Sequence, residues 1–197
     1  MTEEFFEKEL AARQITEIPG MIEFDIPVHG DNRGWFKENF QKEKMLPLGF
    51  PEEFFKDGKL QNNVSLSRQG VLRGLHAEPW DKYISVADNG CVLGSWVDLR
   101  EGESFGHVYQ TVIDASKGIY VPRGVANGFQ VLSETVSYSY LVNDYWALAL
   151  KPKYAFVNYA DPALGITWDN VEQAEVSDAD KNHPLLKNVV PLKKEQL

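Results

Sequence analysis

The run YVPRGVANGFQVLSETVSYSYLVNDYW, residues 120 to 146, sets the fold class of this chain. Gly124 and Gly128 read as bracketing a turn, and after them Val136, Tyr138, Tyr140 and Val142 fall at every second position. A period of two marks a strand with one buried face, because successive side chains point to opposite sides. The same period recurs outward in both directions: MIEFDIPV at 21–28, QNNVSLS at 61–67, KYISVA at 82–87, CVLGSWVDL at 91–99 and HVYQTVID at 107–114. Turn signals separate these segments at Gly30-Asp31-Asn32, Arg68-Gln69-Gly70, Asn89-Gly90 and Lys117-Gly118. Asn89-Gly90 predicts a tight hairpin, since both residues tolerate the positive φ such turns need. Many short strands at regular spacing predict an all-β sandwich or barrel.

Three segments depart from that period. TEEFFEKELAAR at 2–13 spaces its apolar residues as a helix does, with Thr2 as N-cap, and predicts a short N-terminal appendage over 1–20. FQKEKMLPLGFPEEFFKD at 40–57 predicts a short helix broken by Pro47 and Gly49. After Trp168, VEQAEVSDADKNHPLL predicts helical turns packed on a barrel over 21–168, the whole forming a single domain with a C-terminal packing segment at 169–197. With 197 residues, 43% hydrophobic and 25% charged, the composition excludes a disordered or low-complexity chain. A lone cysteine, Cys91, cannot form an internal bridge, and a chain of this size buries enough surface not to need one. No apolar run approaches a membrane span, and the acidic start MTEEFFEKEL is unlike a secretory signal, so a soluble, cytoplasmic protein is expected. A net charge of -9 disfavours general binding of nucleic acid, so positive charge for any anionic ligand must be local.

Candidate chemistry collects in three places. In GVLRGLHAEPW, residues 70–80, Arg73 and His76 would face opposite sides of a regular strand, but Gly74 permits a bulge that aims both inward. In the 120–146 run, Tyr140 shares the inward face, and Tyr145 with Trp146 follows the Asn143-Asp144 turn, where aromatic rings can stack on a flat ligand. In DNRGWFKENF, residues 31–40, Arg33 offers a planar fork for phosphate and Glu38 an acceptor for a base's imide N–H. Each feature alone also fits an ordinary structural role. A transition-metal barrel site would ask for a His-x-His pair and a further histidine in the turn PRGVAN; the chain has His76-Ala77-Glu78 and Asn127 there. His29, His107 and His183 stand in other contexts, so no metal is expected. The chain also lacks GxGxxG, Walker, GxSxG and CxxC motifs, which leaves acid–base work or binding.

Five blocks in series carry a resemblance: DNRGWFKE, QNNVSLSRQGVLRGLH, VDLREGESFG, VPRGVANGFQVLSE and DPALGITW. From about Ile22 to Pro184 the chain resembles the dTDP-4-dehydrorhamnose 3,5-epimerase family. The resemblance implies a cupin-type jelly-roll barrel, a homodimer built partly by exchanging edge strands, no metal or organic cofactor, and a dTDP-4-dehydro-6-deoxyhexose substrate. It implies His76 as base, Tyr140 as acid, Asp180 orienting the base, Lys82 as cationic helper and Arg73 in the active site. It further implies nucleotide contacts from Arg33, Phe36 and Glu38 reaching the neighbouring subunit, from Gln61 and Asn63, and from Tyr145 or Trp146 near the thymine or sugar. The chain departs from the family pattern at Asn127 and Val64, where histidines are usual, and at Gly94, where aspartate is common; the first two changes are expected to remove imidazoles from the pocket wall, making Asn127 a substrate contact in place of a ring. The segment ALALKPKYAFVNYAD after Trp146 is longer than usual. A monoepimerase, a 3,4-ketoisomerase and a catalytically dead sugar-nucleotide binding module are the competing expectations.

Overall fold

A computed structural model of the protein describes Phe6 and residues 8–197. Its strands are β1 (Ala11–Gln14), β2 (Ile22–Asp25), β3 (His29–Asp31), β4 (Gly34–Phe36), β5 (Gln61–Arg68), β6 (Val71–Ala77), β7 (Lys82–Val86), β8 (Val92–Asp98), β9 (Val108–Ile113), β10 (Lys117–Val121), β11 (Val125–Val131), β12 (Thr135–Val142), β13 (Ala155–Phe156) and β14 (Glu175–Val176). One sheet has the order β1-β2-β10-β7-β12-β5 and the other β13-β6-β11-β8-β9, with β14 alongside β6; β3 and β4 form a separate hairpin. The chain crosses repeatedly between the two sheets, as in a jelly roll, so the all-β expectation holds.

Hydrophobic burial fixes the two layers. Ile84, Val86, Ile119, Val121, Val136 and Tyr138 of the first sheet meet Trp96, Tyr109, Ile113, Val125 and Phe129 of the second in one core. Gly94 leaves the space that the buried Trp96 ring fills, since a Cβ there would collide with the ring. The outer face of the first sheet is buried over β2, β7 and β10: the 40–57 segment folds into helix α1 (Lys42–Met45) and 3-10 turns, laying Met45, Phe50 and Phe54 over Phe24, Tyr83 and Tyr120. The outer face of the second carries Leu72, Leu75 and Val97 beneath Leu164, Trp168 and Val176. Helix α2 (Asp178–Lys181) lies in that covering segment, its first turn capped by Ser177 Oγ, which accepts from the Asp180 amide at 3.1 Å. Strands buried on both faces lose strict alternation, as in β7, where all five residues are buried.

Four local expectations are corrected. The expected N-terminal helix over 2–13 lies partly outside the described residues; within them Ala11–Gln14 is a strand, pairing Ala11 with Asp25 and Gln14 with Ile22. All four of its residues are exposed, so backbone pairing and not an apolar face holds it in the sheet. Asn89-Gly90 does not close a hairpin, because β7 and β8 belong to different sheets. Lys117-Gly118 opens β10 one step after the actual turn at Ala115-Ser116, and glycine is required there because a Cβ would run into the Tyr83 ring. Gly128 sits within β11 and does not bracket a turn.

Candidate active site

The interior of the barrel opens into a cavity of about 520 Å³ whose lining includes Arg73, His76, Glu78, Lys82, Asn127, Tyr138, Tyr140 and Asp180. Strand β6 places the first two by an irregularity. Gly74 has φ +123°, open to glycine but strained for other residues, and its missing Cβ would lie 2.6 Å from Gly128 Cα on β11. The β6–β11 register shifts at this contact, between Asn127 opposite His76 and Phe129 opposite Arg73. Both Arg73 and His76 therefore line the cavity, as the bulge reading requires.

Helix α2 brings Asp180 beneath the imidazole. Asp180 is 6% exposed. Its Oδ1 lies 2.7 Å from His76 Nε2 and its Oδ2 accepts from the Gly74 amide at 3.2 Å. Burial works to raise the Asp180 pKa, but the bonds from His76 and Gly74 and the nearby His183 outweigh it and hold the carboxyl below its ordinary value. A carboxylate accepts only, so His76 presents N–H at Nε2 and keeps its lone pair on Nδ1.

Lys82 and Tyr140 approach from the facing sheet, on β7 and β12. The Lys82 ammonium lies 6.0 Å from the Tyr140 ring centroid. Burial depresses the Lys82 pKa to about 7, while Glu78, whose carboxylate meets the ammonium, favours the charged form. Burial raises the Tyr140 hydroxyl, and the positive Arg73 partly opposes this, so the phenol stays protonated and able to donate. Asn127 accepts from the Tyr138 hydroxyl at 3.3 Å, and Tyr138 stacks on Phe129 at 4.1 Å. Tyr138 is thus core and Tyr140 the polar one of the pair.

The nucleotide-side residues divide into two groups. Asn63 pairs across the sheet with Tyr140. Gln61 donates to Asn63 Oδ1 at 2.8 Å and accepts from the Trp146 amide at 3.0 Å, tying β5 to the exposed rings of Tyr145 and Trp146. Arg33, Phe36 and Glu38 are not brought to this cavity within the chain. Arg33 pairs with Asp31, Glu38 with Lys44, and Phe36 on the β3–β4 hairpin is 63% exposed. Val64 is 61% exposed on the outward side of β5, so the histidine absent there is not lost from this chain's own pocket wall, contrary to expectation.

His183 was not singled out by sequence. Its Nε2 lies 3.1 Å from the same Asp180 Oδ1, and only the spacing of three residues at a helix end hinted at the contact. Among the described residues, His76, Asp180 and His183 are the group whose donor atoms approach one another closely enough for a metal ion, all within 4.8 Å. Both Nε2 atoms are, however, committed to the carboxylate. No helix among the described residues is long and apolar enough to cross a membrane.

Comparison with known proteins places this geometry. A family model described as dTDP-4-dehydrorhamnose 3,5-epimerase matches residues 15–188. A protein from Streptococcus pyogenes named as an RmlC homolog is 82% identical over the full length of both chains. A dTDP-4-dehydrorhamnose 3,5-epimerase from Shigella flexneri is 34% identical, covering 85% of this chain and 91% of that one. The solved structure of RmlC from Streptococcus suis in complex with dTDP-D-xylose is 80% identical, with a TM-score of 0.96 over 98% of this chain and 100% of the other.

Proposed function

The chain belongs to the dTDP-4-dehydrorhamnose 3,5-epimerase family, and from that premise we propose that His76, Tyr140, Lys82 and Asp180 together invert C3 and C5 of dTDP-4-dehydro-6-deoxy-D-glucose, giving dTDP-4-dehydro-L-rhamnose. The 4-ketone acidifies the hydrogens on both flanking carbons, so one base serves both centres after the sugar shifts. His76 Nδ1 removes the proton, and Asp180 fixes the tautomer and favours the imidazolium that forms. A histidine of ordinary basicity is too weak to ionise a carbon acid unaided, so charge growing on the ketone oxygen needs a donor. Lys82 supplies it, with Arg73 at the cavity wall. Tyr140 then returns a proton to the face opposite His76.

The observation that carries this reading is the placement of the dyad and the phenol on facing sheets of one cavity: β6 bears His76 and β12 bears Tyr140. Inversion needs groups on both faces of the sugar, whereas removal and return by one residue gives exchange alone. Binding without chemistry needs neither a carboxylate-tethered histidine nor a protonated phenol across from it. In heavy water the reaction is expected to place deuterium at both C3 and C5. A single labelled carbon would mean a monoepimerase, and a moved ketone carbon in the NMR spectrum a ketoisomerase. H76A is expected to keep dTDP binding and lose exchange at both carbons; undiminished exchange would remove His76 from the mechanism.

The protein acts as a homodimer in this reading, each subunit lending Arg33, Phe36 and Glu38 to its neighbour's nucleotide. The support is an open edge and a separate exposed ring: β5 ends its sheet with Val64 and Leu66 exposed at 61% and 69%, and the β3–β4 hairpin carries an exposed Phe36. Arg33 offers a bidentate fork to the diphosphate, while Tyr145 or Trp146 stacks on the ring. A cytoplasmic location accords with a doubly charged diphosphate substrate that does not cross a bilayer unaided.

A further inference from the structure

Asp180 Oδ1 receives two imidazoles, and the base uses only one of them. The ring of His183 stacks on Phe156 of β13, centroids 4.5 Å apart and planes 19° from parallel, and meets the His76 ring edge-on at 5.4 Å and 83°. Its own backbone is pinned: the carbonyl accepts from Asn158 Nδ2 at 3.1 Å. The His183 side chain is 11% exposed and is not part of the cavity lining. It therefore acts, if at all, through the carboxylate.

We propose that His183 is a positioning residue that shares Asp180 with the catalytic base and thereby sets the basicity of His76; the proposal rests on the reading of His76 as the base. One carboxylate oxygen has two lone pairs, and here both are filled by Nε2–H donors, while Oδ2 takes the Gly74 amide. A carboxylate already holding two other donors is a weaker partner for the imidazolium than one free to concentrate its charge on His76. His183 thus draws carboxylate charge away from His76 and limits how strongly Asp180 favours its imidazolium. The role requires His183 to remain uncharged, because two imidazolium rings on one oxygen would repel. The titratable groups that face it are His76 from β6 and Asp180 from its own turn. The β13 side presents the Phe156 ring and Asn158 an amide, neither charged. Burial first, and the charge of His76 second, lower the His183 pKa against the pull of Asp180.

The test compares His183→Phe, which keeps the stack on Phe156 but has no donor, with His183→Gln, which restores an N–H. Two readouts are taken: the NMR titration of the His76 ring without substrate, and the pH profile of kcat/KM. In H183F the His76 midpoint and the acid limb are expected to move up together by roughly half to one pH unit, KM staying within about twofold, as for loss of one hydrogen bond to a charged partner. H183Q is expected to return both toward the parent. A His76 midpoint unchanged in a folded H183F protein overturns the proposal, as does an H183Q protein that titrates like H183F. The NMR arm is independent of turnover, so a shifted midpoint with no matching shift of the acid limb would upset the assignment of His76 as base and leave the coupling to His183 intact.

Discussion

Burial and charge pull Lys82 in opposite directions, and the outcome decides whether it can serve an enolate. Buried on β7, its ammonium is driven toward a pKa of about 7 by desolvation, and the Glu78 carboxylate beside it is the counter-charge that opposes this drop. A lysine whose pKa is lowered is cationic below that value and neutral above it, so activity that depends on the cation falls as pH rises. E78Q removes the counter-charge, so the alkaline limb of kcat is expected to move to lower pH than in the parent. An unchanged alkaline limb in E78Q would show that Glu78 does not hold the charge. In the proposed reaction Tyr140 acts on the other half. Y140F keeps the ring but has no proton to return, so wash-in of deuterium at C3 is expected to persist while product formation falls by about 10² or more, the usual scale for a lost general acid. Product formation at the parental rate would end the acid role.

The bulge in β6 is the element on which the site depends. A Cβ at Gly74 would have to enter the space of the Gly128 backbone, and the φ of +123° is strained for any other residue. G74A is expected to lose about 2 kcal/mol or more in denaturant melts and to lose exchange activity disproportionately, since His76 and Asp180 would separate. Stability within about 0.5 kcal/mol of the parent would show that the bulge adapts freely. This element was legible in RGLH because glycine between two polar residues signals a local break that only backbone freedom explains. Other elements were not. The helix-like spacing of 2–13 is a local preference, and Ala11–Gln14 became a strand because Ile22–Asp25 offered unpaired backbone groups, which no local pattern records. Asn89-Gly90 carries correct turn chemistry, yet the same dipeptide serves a crossing between sheets when the flanking strands find other partners. His183 escaped notice for a related reason: its meaning lies in a carboxylate that folding carries to β6, and a spacing of three residues does not reveal which third group will join them.

At the scale of the whole molecule, the proposed reaction draws on more than one chain. The cavity holds the acid–base groups, while Arg33, Phe36 and Glu38 stand apart on the side of the β3–β4 hairpin and its following turn. If these residues serve a neighbour's nucleotide across a two-fold axis, each site takes its base from one subunit and its phosphate fork from the other. Mixing settles this with two defective proteins. H76A and R33E homodimers are each expected to be nearly inactive, the first in chemistry and the second in nucleotide binding. After subunit exchange, half the dimers are mixed, and each mixed dimer has one site with both lesions and one with neither. Activity is then expected to recover to about a quarter of the parental value, with the parental KM, as the two-fold arithmetic requires. Were Arg33 to serve its own subunit's site, every site in the mixture would keep one lesion and no activity would return.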